Sequence, residues 1–90
     1  MSQSRTFEIK NKLGMHARAA TAFVQTANRF DCEVVIRKDG LEVNGKSIMG
    51  VLQLAAAKGQ RIEVVADGAE CEAALEAIGA LIEDLFGEDD

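Results

Sequence analysis

Cys32-Glu33-Val34-Val35-Ile36-Arg37-Lys38-Asp39-Gly40-Leu41-Glu42-Val43 is the stretch on which the fold turns. Cys32, Val34 and Ile36 alternate with Glu33, Val35 and Arg37, the period of a strand with one apolar face. Asp39-Gly40 is a strong tight-turn signal, and Leu41 and Val43 resume the alternation beyond it, so the segment reads as a β-hairpin. Asn44-Gly45 ends it. Upstream, Arg5 to Lys10 alternates with Phe7 and Ile9 on one side and Thr6, Glu8 and Lys10 on the other, a further half-buried strand. Asn11 to Met15 breaks that pattern at Gly14. From Ala17 to Arg29 the apolar positions Ala20, Phe23, Val24 and Ala27 follow the i, i+3, i+4, i+7 stripe of an amphipathic helix, whose exposed face holds Gln25, Thr26 and Arg29. Downstream, Ser47 can cap a short helix in which Ile48, Val51 and Leu52 share a face, and Lys58-Gly59 closes that segment. Arg61 to Asp67 alternates again through Ile62, Val64 and Ala66. After Gly68, residues Ala69 to Phe86 place Cys71, Leu75, Ile78, Ile82 and Leu85 on one helical stripe.

The order βαββαβα with short connections predicts an α+β fold, a four-stranded antiparallel sheet with three helices on one face. The other face is expected to meet water, since Thr6, Glu8, Lys10, Glu33, Arg37, Glu63 and Asp67 all fall on the outward phase. Ninety residues make one domain, 1–90, with an acidic tail at 87–90. No apolar run approaches the roughly 20 residues of a membrane span, and Met1 to Arg5 lacks the apolar segment of a signal peptide, which points to the cytoplasm. The two cysteines, Cys32 and Cys71, form no C-x-x-C pair and are expected to be buried small apolar residues. All 10 Lys and Arg, with 5 of the 15 Asp and Glu, lie in residues 1–61, and the other 10 acids lie in 62–90 without one base. One reading is a solvated acidic helix and tail; the other is a basic half that faces an acidic partner or a phosphate. Acidity, four Phe and the absence of Trp and Tyr remove the stacking platform that a nucleic-acid partner needs.

His16 is the single histidine, and it stands where the Gly14 loop meets the first helix. A helix N-terminus offers unpaired amides and the positive end of the macrodipole, so Ala17, Arg18 and Ala19 form a backbone site for an anion beside the ring. The Arg18 guanidinium suits phosphate oxygens, and the positive surroundings favour a neutral, nucleophilic imidazole. With one His, no Cys pair and no acid cluster beside it, neither a metal site nor a Ser-His-Asp hydrolase has support. Spacing alone leaves two readings open: an incidental polar residue at a helix start, or a phosphoryl acceptor.

The residues Gly14-Met15-His16-Ala17-Arg18-Ala19-Ala20 resemble the active-site signature of HPr, the histidine-containing phosphocarrier family of the bacterial sugar phosphotransferase system. Gly45-Lys46-Ser47-Ile48-Met49-Gly50-Val51 resembles the regulatory serine segment of family members that are substrates of HPr kinase/phosphorylase. The similarity runs from about Phe7 to Phe86 and includes Ala57-Lys58-Gly59. It implies the HPr-like open-faced β-sandwich and a stoichiometric carrier rather than an enzyme, needing no cofactor and no metal. His16 would accept a phosphoryl group from phosphorylated enzyme I, on Nδ1 by family pattern, and pass it to enzyme IIA domains, with Arg18 as phosphate partner. Ala19 departs from the family's usual proline, which adds an N–H to the first helical turn. Asn11-Lys12-Leu13 ahead of Gly14 also resembles the nitrogen-branch NPr paralogues, so the branch served stays open.

Ser47 has a structural role of its own, as an N-cap worth about 1 kcal/mol. The resemblance implies a regulatory role as well, in which phosphate at a helix N-terminus adds charge beside the docking surface and weakens contact with an acidic partner. Ile48, Met49 and Leu52, with Thr21 near His16, are the docking residues implied by the family; core packing is the competing fate for Ile48 and Leu52. A regulatory interaction module, meeting HPr kinase/phosphorylase and a transcription regulator through the Ser47 state, is the alternative function.

Overall fold

The hairpin forms where the alternation places it. Strands β2 (Glu33–Lys38) and β3 (Leu41–Asn44) join through Asp39 and Gly40, whose φ values of 51° and 83° match the positive-φ pair of a tight hairpin turn. The register sets Ile36 opposite Val43 and Arg37 opposite Glu42, and this last pair forms a salt bridge of 2.8 Å. The structure, a computed structural model, describes residues 1–88. Before the hairpin come β1 (Ser2–Glu8) and α1 (Ala17–Ala27); after it come α2 (Ile48–Gln53), β4 (Arg61–Asp67) and α3 (Cys71–Glu83). The antiparallel sheet has the order β1-β4-β2-β3.

Alternation decides which sheet face is covered. Val34, Ile36, Ile62, Val64 and Ala66 are buried under the helices together with Phe23 and Val24 of α1, Val51 of α2 and Leu75, Ile78 and Ile82 of α3. Thr6, Glu8, Lys10, Glu33, Arg37 and Asp67 are exposed on the opposite phase, and Glu63 is half-buried there beside the Val35–Val65 pair. Cys32 and Cys71 are free thiols in the apolar interior, where burial pushes the Cys32 thiol up from its ordinary pKa and its Lys46 neighbour pulls the other way.

The ends of the chain differ from the sequence reading. The first strand begins at Ser2 rather than Arg5, because Ser2 to Ser4 find partners in Asp67 to Val65 of β4. The last helix stops at Glu83 instead of running to Phe86. Leu85, Phe86 and Gly87 then take φ values of 57°, 55° and 80°, a left-handed reversal costing on the order of 1 kcal/mol or more for each non-glycine residue. The reversal turns Phe86 into the core, where it is 6% exposed, while Leu85, expected on the apolar stripe, is only half-buried. Burying a phenylalanine side chain offsets strain of that size. Of the expected acidic tail 87–90, Gly87 closes this turn and Glu88 folds back against the loop after β1; Asp89 and Asp90 lie outside the described residues.

Candidate functional site

Residues 11–15 present His16 because they are pinned at both ends. Gly14 has φ 68°, and a Cβ there would lie 2.5 Å from the Ala56 carbonyl oxygen, so the backbone passes where only glycine fits. Met15 is buried, and its N–H donates to the same carbonyl at 2.8 Å. Asn11, fully buried, donates from Nδ2 to the Gly14 carbonyl at 2.7 Å. The chain then enters α1 with His16 as its N-cap, at φ −89° and ψ −178°, and the imidazole Nδ1 accepts the Arg18 N–H at 3.3 Å. The side chain is 29% exposed, neither packed into the core nor turned away from the first helical turn.

The opposite ring nitrogen, Nε2, meets the Glu88 carboxylate, 72 positions along the chain. The second oxygen of Glu88 accepts from Asn11 Nδ2 at 3.1 Å, so one carboxylate bridges the loop and the ring. Burial alone would push the Glu88 carboxyl up; hydrogen bonds from His16 and Asn11, with the nearby Arg18 charge, outweigh it and hold the group below its ordinary value.

Around the ring, Ala17 is exposed and Ala19 is fully buried, so of the expected anion-site residues Ala19 brings its backbone but no accessible side chain. The Arg18 side chain is exposed and joins no salt bridge among the described residues, which leaves the guanidinium free to meet an incoming anion. Thr21, half-buried, spends its hydroxyl on the Ala17 carbonyl at 2.8 Å. The cavity of about 490 Å³ lined by Thr6, Arg37, Glu42, Arg61 and Glu63 opens on the uncovered sheet face, not at His16. A ring on an open surface suits exchange with another macromolecule better than enclosure of a small substrate.

Ser47 caps α2, accepting the Gly50 N–H on Oγ at 3.2 Å. Asn44 supports the turn before it, accepting from Lys46 N–H on Oδ1 at 2.9 Å, and Lys46 Nζ reaches the Phe30 carbonyl at 2.9 Å. Gly45 is needed because an added Cβ would sit 2.6 Å from Val34 Cγ1. Of the docking candidates, Met49 is 72% and Ile48 40% exposed, while Leu52 is half-buried against the core. The shared face expected for Ile48, Val51 and Leu52 is therefore divided, with Val51 alone fully buried. The sequence reading missed Glu88 and, as a site residue, Asn11; Leu13, within the same loop and 68% exposed, was also not singled out. No sequence period connects Glu88 to His16, since they belong to opposite ends of the chain.

Residues 3–84 match the PTS-HPr family, described as the PTS HPr component phosphorylation site. The chain belongs to the HPr family. The phosphocarrier protein HPr of Neisseria meningitidis is 52% identical over 84 residues, covering 93% of this chain and 94% of the relative. The phosphocarrier protein NPr of Escherichia coli is 46% identical over 90 residues, 99% of this chain and 100% of the relative. Among solved structures, that of HPr from Thermoanaerobacter tengcongensis superposes with a TM-score of 0.93 at 44% identity, covering 98% of this chain and 99% of that one. HPr proteins are phosphocarriers of the phosphotransferase system rather than enzymes, and the four-stranded sheet with three helices is the architecture they share. No helix among the described residues is long and apolar enough to cross a membrane.

Proposed function

We propose that this single-domain, cytoplasmic carrier accepts a phosphoryl group from phosphorylated enzyme I on His16 Nδ1 and delivers it to enzyme IIA domains. The observation that carries the reading is the half-exposed ring at the start of α1, whose Nδ1 faces the Arg18 amide. The Nδ1 lone pair attacks phosphorus, the bond to the donor breaks with its electron pair leaving on the donor, and the transferred oxygens arrive at the amides of Ala17, Arg18 and Ala19. Arg18 adds charge-assisted hydrogen bonds to those oxygens. Incubation with enzyme I and phosphoenolpyruvate is expected to add one acid-labile phosphate, detected by mass spectrometry, and His16→Ala to take up none. A label retained by His16→Ala overturns the reading.

Ser47 is the proposed regulatory position, where a phosphate added by HPr kinase/phosphorylase would meet the N-terminus of α2 without unwinding it. Ile48 and Met49 carry the exposed apolar surface beside it and, with Leu52 and Thr21, are the proposed partner contacts, a transcription regulator included among the partners. The near full-length match to NPr favours a second reading, service in the nitrogen branch. Uptake rates from the sugar-branch and nitrogen-branch forms of enzyme I, measured side by side, decide between the two.

A further inference from the structure

Two hydrogen-bonding groups of opposite character hold the imidazole of His16. The Arg18 N–H can only donate, so Nδ1 must carry a lone pair to receive it. The Glu88 carboxylate, when ionised, can only accept, so Nε2 must carry the proton. A single ring form satisfies both: neutral, protonated on Nε2 and bare on Nδ1. The Nδ1–H form would set a proton against the Arg18 amide and a lone pair against the carboxylate. We infer that Glu88 is a positioning residue for phosphoryl transfer, fixing His16 as the Nε2–H tautomer so that Nδ1 is the nucleophile.

The inference rests on His16 being the phosphoryl acceptor and adds how the ring is prepared for it. Glu88 is itself braced by the loop, since its other oxygen accepts from Asn11 Nδ2, Asn11 is wholly buried, and Asn11 in turn grips the Gly14 carbonyl two residues before His16. With its side chain only 11% exposed, Glu88 works in a setting where water competes weakly for its oxygens. Glu88 also lies on the side of the ring away from the helix amides, so its charge does not occupy the place where phosphate oxygens arrive. As the N–P bond forms at Nδ1, the ring gains positive charge while Nε2 keeps its proton, and the neighbouring carboxylate compensates that charge. Nothing needs to be deprotonated in the step. The bond made is Nδ1–P, the bond broken is donor–P, and the donor keeps the electron pair.

The test reads the ring before any phosphate is added. In protein carrying ¹⁵N-histidine, long-range ¹H–¹⁵N spectra of the unphosphorylated chain are expected to show a protonated Nε2 and a bare Nδ1, with a hydrogen-bonded Nε2–H proton resolved downfield. Glu88→Ala is expected to lose that proton signal and gain a mixture of tautomers. Glu88→Gln, which keeps an accepting oxygen without the charge, is expected to retain the signal at a shifted position. Both variants should lower kcat for phosphoryl uptake, on the order of tenfold for Glu88→Ala, while KM for enzyme I stays within about twofold. An unaltered tautomer pattern in Glu88→Ala, or an unaltered kcat, overturns the role of Glu88. Label confined to His16 in that same experiment leaves the acceptor reading standing, whereas label surviving in His16→Ala removes the acceptor reading instead.

Discussion

Two helix N-termini in this chain carry a side chain suited to phosphate, and they are capped alike but braced differently. His16 caps the 11-residue α1 through a ring nitrogen, and Ser47 caps the six-residue α2 through its hydroxyl. Each is preceded by a glycine that a Cβ would jam, Gly14 against the Ala56 backbone and Gly45 against Val34. The difference lies behind the cap. Ser47 is supported from within its own turn and by one lysine, through Asn44, Lys46 and the Phe30 carbonyl. His16 is gripped from the far end of the chain by Glu88, itself held by Asn11. Helix polarity alone makes both places tolerant of an anion, whereas a reactive ring also has to be oriented, and orientation takes a second partner.

The glycines break this comparison most sharply. Gly14→Ala is expected to destabilise the fold by about 3 kcal/mol, because a positive φ and a backbone collision coincide. Gly45→Ala should cost less, about 1–3 kcal/mol, since Gly45 has no positive φ and its closest obstacle is a side-chain atom of the buried Val34 rather than backbone. Urea midpoints measured together check the order; a larger loss at Gly45 would reverse it. Arg18→Ala is expected to slow phosphoryl uptake about a hundredfold, as removal of one well-placed donor does, with stability changed by no more than about 0.5 kcal/mol. Rapid-quench uptake and denaturation on the same sample separate the two effects.

At the second terminus the effects are smaller. Ser47→Ala should lose about 1 kcal/mol of stability, the worth of a cap, and leave uptake on His16 unchanged. Ser47→Asp keeps a capping oxygen and is expected to slow uptake from enzyme I; equal rates for wild type and this variant count against regulation by charge at Ser47. The smallest effect is a pH dependence. Because the folded Glu88 carboxyl lies below its ordinary value, its contribution is present above the ordinary carboxylate range and is lost as pH falls through the depressed folded value. Urea unfolding of wild type and Glu88→Gln should differ by about 0.5 kcal/mol at pH 6, and the difference should shrink as pH falls through and below the ordinary carboxylate range. A constant difference across that range removes the contribution of the charge.

Much of the fold was legible because its signals are local. Asp39-Gly40 marked the hairpin, Phe23 and Val24 marked the covered side of α1, and Ser47 marked the start of α2, each from neighbours within a few positions. Leu85 misled for the same reason: its spacing from Ile82 and Ile78 continues a helical stripe, and no local feature announces that the backbone turns left-handed there to bury Phe86. At the candidate site, His16 and Arg18 were readable from the helix start they share. Glu88 read as one more acid in a charge run, because the value of a carboxylate depends on what it touches.

By itself the amino-acid order determined the succession of elements, the covered and open faces of the sheet, the Ser47 cap and the place of His16 at a helix start, since periods of 2 and 3.6 and cap chemistry act over a few residues. Only the tertiary structure decided what each nitrogen of the ring meets. That choice needs Asn11, His16 and Glu88 in one place, and contact across 72 positions follows from the packing of α3 and the reversal at Leu85, which no local pattern encodes.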